Sequence, residues 1–121
     1  MKATFDEDGY PADETLSKIC NFKFESKNSA FEFFDYCQSA FNNHYGNWQV
    51  IKDFKDLASF NKDLDYALRI STGGWSGNEM VISAMEKNMI WHFYWIASFR
   101  GGLHILDYSR VMHNLATADQ A

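Results

Sequence analysis

The run MIWHFYWIASFRGGLHILDY, Met89 to Tyr108, decides how this chain folds. Two apolar, aromatic arms flank Gly101-Gly102, and a glycine pair in that setting predicts a β-hairpin. Upstream, NWQVIKDF (47–54) and LDYALRIST (64–72) are rich in β-branched and aromatic residues and partly alternate, so both read as strands. Between them, KDLASFNKD (55–63) suggests a short helical turn. Strands joined by short turns favour an antiparallel sheet. The predicted order is α-α-β-β-α-β-β-α: a single α+β domain with about four antiparallel strands packed with helices.

The helices announce themselves by spacing and by end signals. In YPADETLSKICNF, Pro11 suits the first helical position, Asp13 and Glu14 suit the positive end of the dipole, and Leu16, Ile19 and Cys20 share a face. In SAFEFFDYCQSAFNNH, Ser29 and Glu32 fit a capping box, and Phe33, Phe34, Cys37, Ala40 and Phe41 recur at helical spacing. A third helix is expected from Asn78 to about Lys87, and a short fourth from Ser109, with Val111, Met112 and Leu115 on one side.

A two-residue hairpin loop would pair Arg100 with Leu103, Phe99 with His104 and Ser98 with Ile105. His92 and His104 then point to opposite faces and cannot share a site; a three-residue loop reverses the arrangement. His44 and His113 have no assignable partner. Both hairpin faces are largely apolar, so both need cover. Apolar surface left over would favour a partner or a homodimer through this face.

The loop STGGWSGNEM (71–80) invites a chemical reading, which its residues resist. A phosphate loop wants a lysine, and the next one is Lys87, at the far end of the helix. A nucleophile elbow wants G-x-S-x-G, but Gly74, Trp75 and Ser76 are followed by Gly77 one place early. A corner fits better. With Ser76 as N-cap, Glu79 completes a second capping box, and Trp75 with Met80 forms a hydrophobic staple. Gly77 and Asn78 are left over; close backbone packing or contact with a ligand or partner would explain them.

The composition limits the function. The chain has 121 residues and a formal net charge of −5. Its first 35 residues hold eight acids against four lysines. An acidic chain with no basic stripe argues against direct nucleic-acid binding and permits a basic protein partner. Cys20 and Cys37 fall on apolar helix sides, as buried thiols in a reducing cytoplasm do. They cannot make a zinc site alone, and no metal or cofactor is expected. MKATFDEDG lacks the apolar core of a signal peptide, and the longest apolar run is too short for a membrane span. Residues 1–9 are expected to be flexible or irregular.

The phrases TGGWSGNE and RGG, separated by an aromatic run, resemble a family of small phage and prophage proteins, over roughly residues 10–108. The resemblance marks a lineage and supplies no catalytic residues. It implies a small accessory protein in a bacterial host cytoplasm, acting by binding a host complex. The leading expectation is a stoichiometric inhibitor of a defence complex such as CRISPR. The acidic segment Asp6, Glu7, Asp8 would meet a basic surface, with Gly77, Asn78 and the turn residue Arg100 as further contacts. The rival readings are a small hydrolase using the glycine loop, an immunity or antitoxin-like protein, and a structural phage component.

Overall fold

The computed structural model describes residues 2–55 and 64–120. Its elements are α1 (Asp13–Asn21), α2 (Ser29–Ala40), β1 (Asn47–Phe54), β2 (Leu64–Ser71), α3 (Ser76–Glu86), α4 (Met89–Tyr94), β3 (Trp95–Phe99), β4 (Leu103–Asp107) and α5 (Ser109–Gln120). The four strands form one antiparallel sheet in the order β1-β2-β4-β3, so the chain is a small α+β fold as expected. The helical turn anticipated across 55–63 falls, beyond Lys55, outside the described residues.

Helices cover one face of the sheet. Phe33, Phe34 and Cys37 of α2, Val81 and Met85 of α3, and Trp91 of α4 bury against Leu68, Ile70 and Leu106 of the sheet. Aromatic edges set much of this packing: the Phe34 ring meets Phe33, Tyr94 and Tyr108 edge-on, at centroid separations of 5.1, 6.0 and 5.6 Å. Ala67 points to the opposite face and joins a smaller cluster with Leu64, Phe54 and Ile96. Trp95 and Phe99 on the edge strand β3 are 44% and 46% exposed.

The first arm of the expected hairpin is half helix. Asn88 accepts a hydrogen bond from the Ile90 N–H at 2.9 Å and starts α4. Ile90, Trp91 and Tyr94 then fall on one side at helical spacing and are buried, while Met89, His92 and Phe93 face water. Here the cap and the burial pattern override the strand propensity of the aromatic run.

The hairpin loop has three residues, not two. Phe99 pairs with Leu103 and Ser98 with His104, leaving Arg100, Gly101 and Gly102 as the turn, with φ of +92° and +82° at the glycines. A bulge between Trp95 and Ala97 shifts the register farther down the strand.

Neither expected capping box forms. Glu32 N–H bonds to the Asn28 carbonyl, which makes Ser29 the first helical residue. The Ser29 hydroxyl turns back to accept from the Glu25 and Ser26 N–H groups, both at 2.8 Å. At α3 the Glu79 N–H bonds to the Trp75 carbonyl, so Trp75 holds the cap position and Ser76 opens the helix. Pro11 precedes α1 and pairs with Phe5 in an isolated bridge, with Ala12 as the cap residue.

Candidate interaction surface

Four connections converge at the end of the sheet where β2 gives way to α3. They are the N-terminal turn, the α2–β1 loop, the β2–α3 loop and the β3–β4 turn. Asn78 fastens two of them from a position with no exposure at all. Its Oδ1 accepts from the Asn42 N–H at 2.8 Å, and its Nδ2 donates to the carbonyls of Asn42 at 3.0 Å and Thr72 at 3.2 Å. Each polar atom of this buried amide therefore has a partner, which is the condition for burying it at all.

Thr72 fastens the β3–β4 turn. Its N–H donates to the Gly102 carbonyl at 3.1 Å, and its hydroxyl donates to Glu79 Oε1 at 2.5 Å. Gly102 sits so close that a Cβ there would strike the Thr72 hydroxyl. The two phrases TGGWSGNE and RGG are thus neighbours in space. The Glu79 carboxylate occupies the first turn of α3, where an anion would otherwise be drawn.

The tryptophan of the loop folds over its own helix. A Cβ on Gly77 would collide with the six-membered ring of Trp75, so only glycine leaves room for the indole. Trp75 stacks on Tyr45 at 5.0 Å and 27° and lies against Tyr10 at 5.1 Å and 38°. The Tyr10 hydroxyl hydrogen-bonds the Ser76 hydroxyl at 2.9 Å. Tyr45 is 52% exposed, with His44 beside it at 5.0 Å. The result is a row of aromatic rings set on hydrogen-bonded backbone.

Tyr10 also anchors the acidic segment. The Asp6 N–H donates to the Tyr10 carbonyl at 2.8 Å, and Asp6 Oδ1 accepts from the Asp8 and Tyr10 N–H groups at 2.9 and 3.0 Å. Gly9 takes φ +84° and closes the turn. Residues 2–9 of the segment expected to be flexible or irregular contain no helix or strand beyond the Phe5–Pro11 bridge, and a carboxylate holds part of them in a compact turn. Asp6, Glu7 and Asp8 are exposed beside the aromatic row.

The structure therefore separates the nominated contact residues into two kinds. Asp6, Glu7, Asp8 and Arg100 are exposed at connecting turns. Gly77 and Asn78 are buried, and the molecule uses both internally. Sequence reading missed Tyr10 and Tyr45 as surface aromatics. Their only signal was position, one before Pro11 and one before Gly46, which is too common a context to single them out.

The histidines have separate partners. His92 Nε2 donates to the Glu86 carbonyl at 2.7 Å. His104 is buried, with Nδ1 at 2.6 Å from the Ser98 hydroxyl, which also accepts from the Trp95 indole at 2.8 Å. Burial holds the His104 pKa below its ordinary value, against a partial counter-pull from Glu86 and Glu79. His113 lies 3.5 Å from Asp65 at the surface. Among the described residues no three His, Cys, Asp or Glu side chains converge as metal ligands. No helix among them is long and apolar enough to cross a membrane.

Compared with protein-family models, with curated proteins and with solved structures, the chain matches none.

Proposed function

We propose that the chain acts by stoichiometric protein–protein binding, as a phage-type accessory protein that inhibits a bacterial defence complex in the manner of an anti-CRISPR. The observation that carries this reading is the row Tyr10–Trp75–Tyr45, fixed by its ring contacts and by the Tyr10–Ser76 hydrogen bond beside the exposed acids Asp6, Glu7 and Asp8. Rigid aromatics supply contact area at small entropic cost, and interfaces are enriched in them. Acids around aromatic faces suit a partner that presents arginine or lysine, through Coulomb attraction and cation–π contact. Defence nucleases carry such basic surfaces where they hold nucleic acid. The hydrolase reading has less support, since the Ser76 hydroxyl pairs with Tyr10 and not with a base.

The test is a titration of purified chain into a CRISPR nuclease cleaving labelled DNA. Inhibition complete near one equivalent, and weakened by Tyr45→Ala or by Glu7→Gln with Asp8→Asn, supports the reading. No inhibition across the defence nucleases assayed, or turnover of an ester substrate that Ser76→Ala abolishes, overturns it.

A further inference from the structure

At the opposite end of α3, roughly 16 Å from Ser76 at about 1.5 Å per residue, lies a second surface of different character. Met89, Phe93 and Phe24 are 67%, 62% and 51% exposed, and the rings of Phe24 and Phe93 meet edge-on at 6.1 Å. Three large apolar side chains gathered at one exposed site are unusual for a surface with no task.

The groove they line is built and held from below. Asn88 Nδ2 donates to the Ile19 and Phe22 carbonyls, both at 2.9 Å, while its Oδ1 caps α4. One buried amide thus fixes the extended segment that carries Phe24 against the helix that carries Phe93. A groove so fixed loses little conformational freedom on binding. The charged side chains that line it are Lys23, Lys87 and Glu25, two cations to one anion, in a chain whose net charge is −5. Its sign is opposite to that of the acidic turn.

From these residues we infer a second docking groove, for a partner segment with an apolar core and acidic flanks: the core covers Phe24, Met89 and Phe93, and the acids face Lys23 and Lys87. The groove does not depend on the aromatic row, so the chain would hold two oppositely charged partners at the two ends of α3.

The probes are short labelled synthetic peptides read by fluorescence anisotropy. One has an apolar core with glutamate flanks, one the same core with lysine flanks, and one a serine core with glutamate flanks. The first should bind, and Phe93→Ser should weaken it about tenfold, the scale of a hot-spot truncation. Reversing the rim with Lys23→Glu and Lys87→Glu should transfer preference to the lysine-flanked peptide. All three residues are at the surface, and circular dichroism checks that the variants fold. The inference falls if none of the peptides binds, or if Phe93→Ser leaves the first peptide's affinity unchanged. It also falls if sedimentation shows a wild-type dimer that Phe93→Ser dissolves, because a second copy would then be the occupant.

Discussion

The Trp75 indole lies in the space that a side chain at Gly77 would need. The glycine in the first turn of α3, unfavourable for a helix by about 1 kcal/mol relative to alanine, is thereby explained by its neighbour. Gly77→Ala should improve local helix propensity and still destabilise the protein, by about 1–3 kcal/mol, because the ring must leave its stack. Urea denaturation measures the cost. Tryptophan emission should shift to the red in the folded variant if the indole has moved into water.

Asn78 holds Asn42 and Thr72 through three hydrogen bonds in a fully buried position. Asn78→Ala leaves the part-buried Asn42 N–H without its acceptor, at a cost of about 1–3 kcal/mol, while the Asn42 and Thr72 carbonyls keep the bonds from Gly46 and Trp75. Hydrogen exchange should show faster amide exchange in the loop around Asn42–Gly46 than elsewhere. Unchanged protection there would mean that water replaces the lost bonds.

His104 gives stability a pH dependence of definite sign. Its pKa in the folded protein is lowered, chiefly by burial, below the value near 6.5 of an unfolded chain. Between those two values the unfolded state binds more protons, so stability rises with pH across that window. The contribution is fully present above about 6.5 and is lost as pH falls toward the folded value. Denaturation midpoints measured on either side of the window should differ for the native protein, and less for His104→Gln.

The three N-terminal acids are not equivalent. Asp6 accepts two N–H groups and shapes the turn, whereas the side chains of Glu7 and Asp8 make no hydrogen bond among the described residues. Asp6→Ala should lower the melting temperature; Glu7→Gln and Asp8→Asn should not. The latter pair should slow association with a basic partner and flatten its salt dependence. A stopped-flow series in sodium chloride separates the two effects, and an association rate independent of salt would remove the electrostatic element of the proposal.

Cys37 is fully buried, and desolvation raises its thiol pKa well above the ordinary value. The reactive thiolate is therefore disfavoured. Labelling by an aromatic disulfide reagent should be fast for the partly exposed Cys20 and slow for Cys37, becoming fast for both in denaturant.

Periodicity carried most of this fold. The helix through Phe33, Phe34 and Cys37 could be read from its apolar spacing, and the two strands 47–54 and 64–71 from β-branched and aromatic content with partial alternation. The helix at Met89–Tyr94 could not. Six residues, mostly apolar apart from His92, fit either period, and what selects helix is the Asn88 cap together with carbonyls sixty-odd residues away. The site was legible in outline, since TGGWSGNE stood out as a corner and Asp6–Asp8 as exposed. Its organisation depends on pairs distant in sequence, Tyr10 with Ser76 and Asn42 with Asn78, which no local pattern announces.

That last pairing bears on the order of events in folding. The contacts of Asn78 join segments 36 residues apart and need β2 in place, since Thr72 follows directly from that strand. Closing so long a loop is entropically uphill until the sheet exists to reward it. The amide should therefore dock after the main barrier, giving Asn78→Ala a φ-value near zero: refolding at an unaltered rate and unfolding accelerated by nearly the whole loss in stability. The corner that locks the mature protein would then govern how long it stays folded, while having no say in how quickly it gets there.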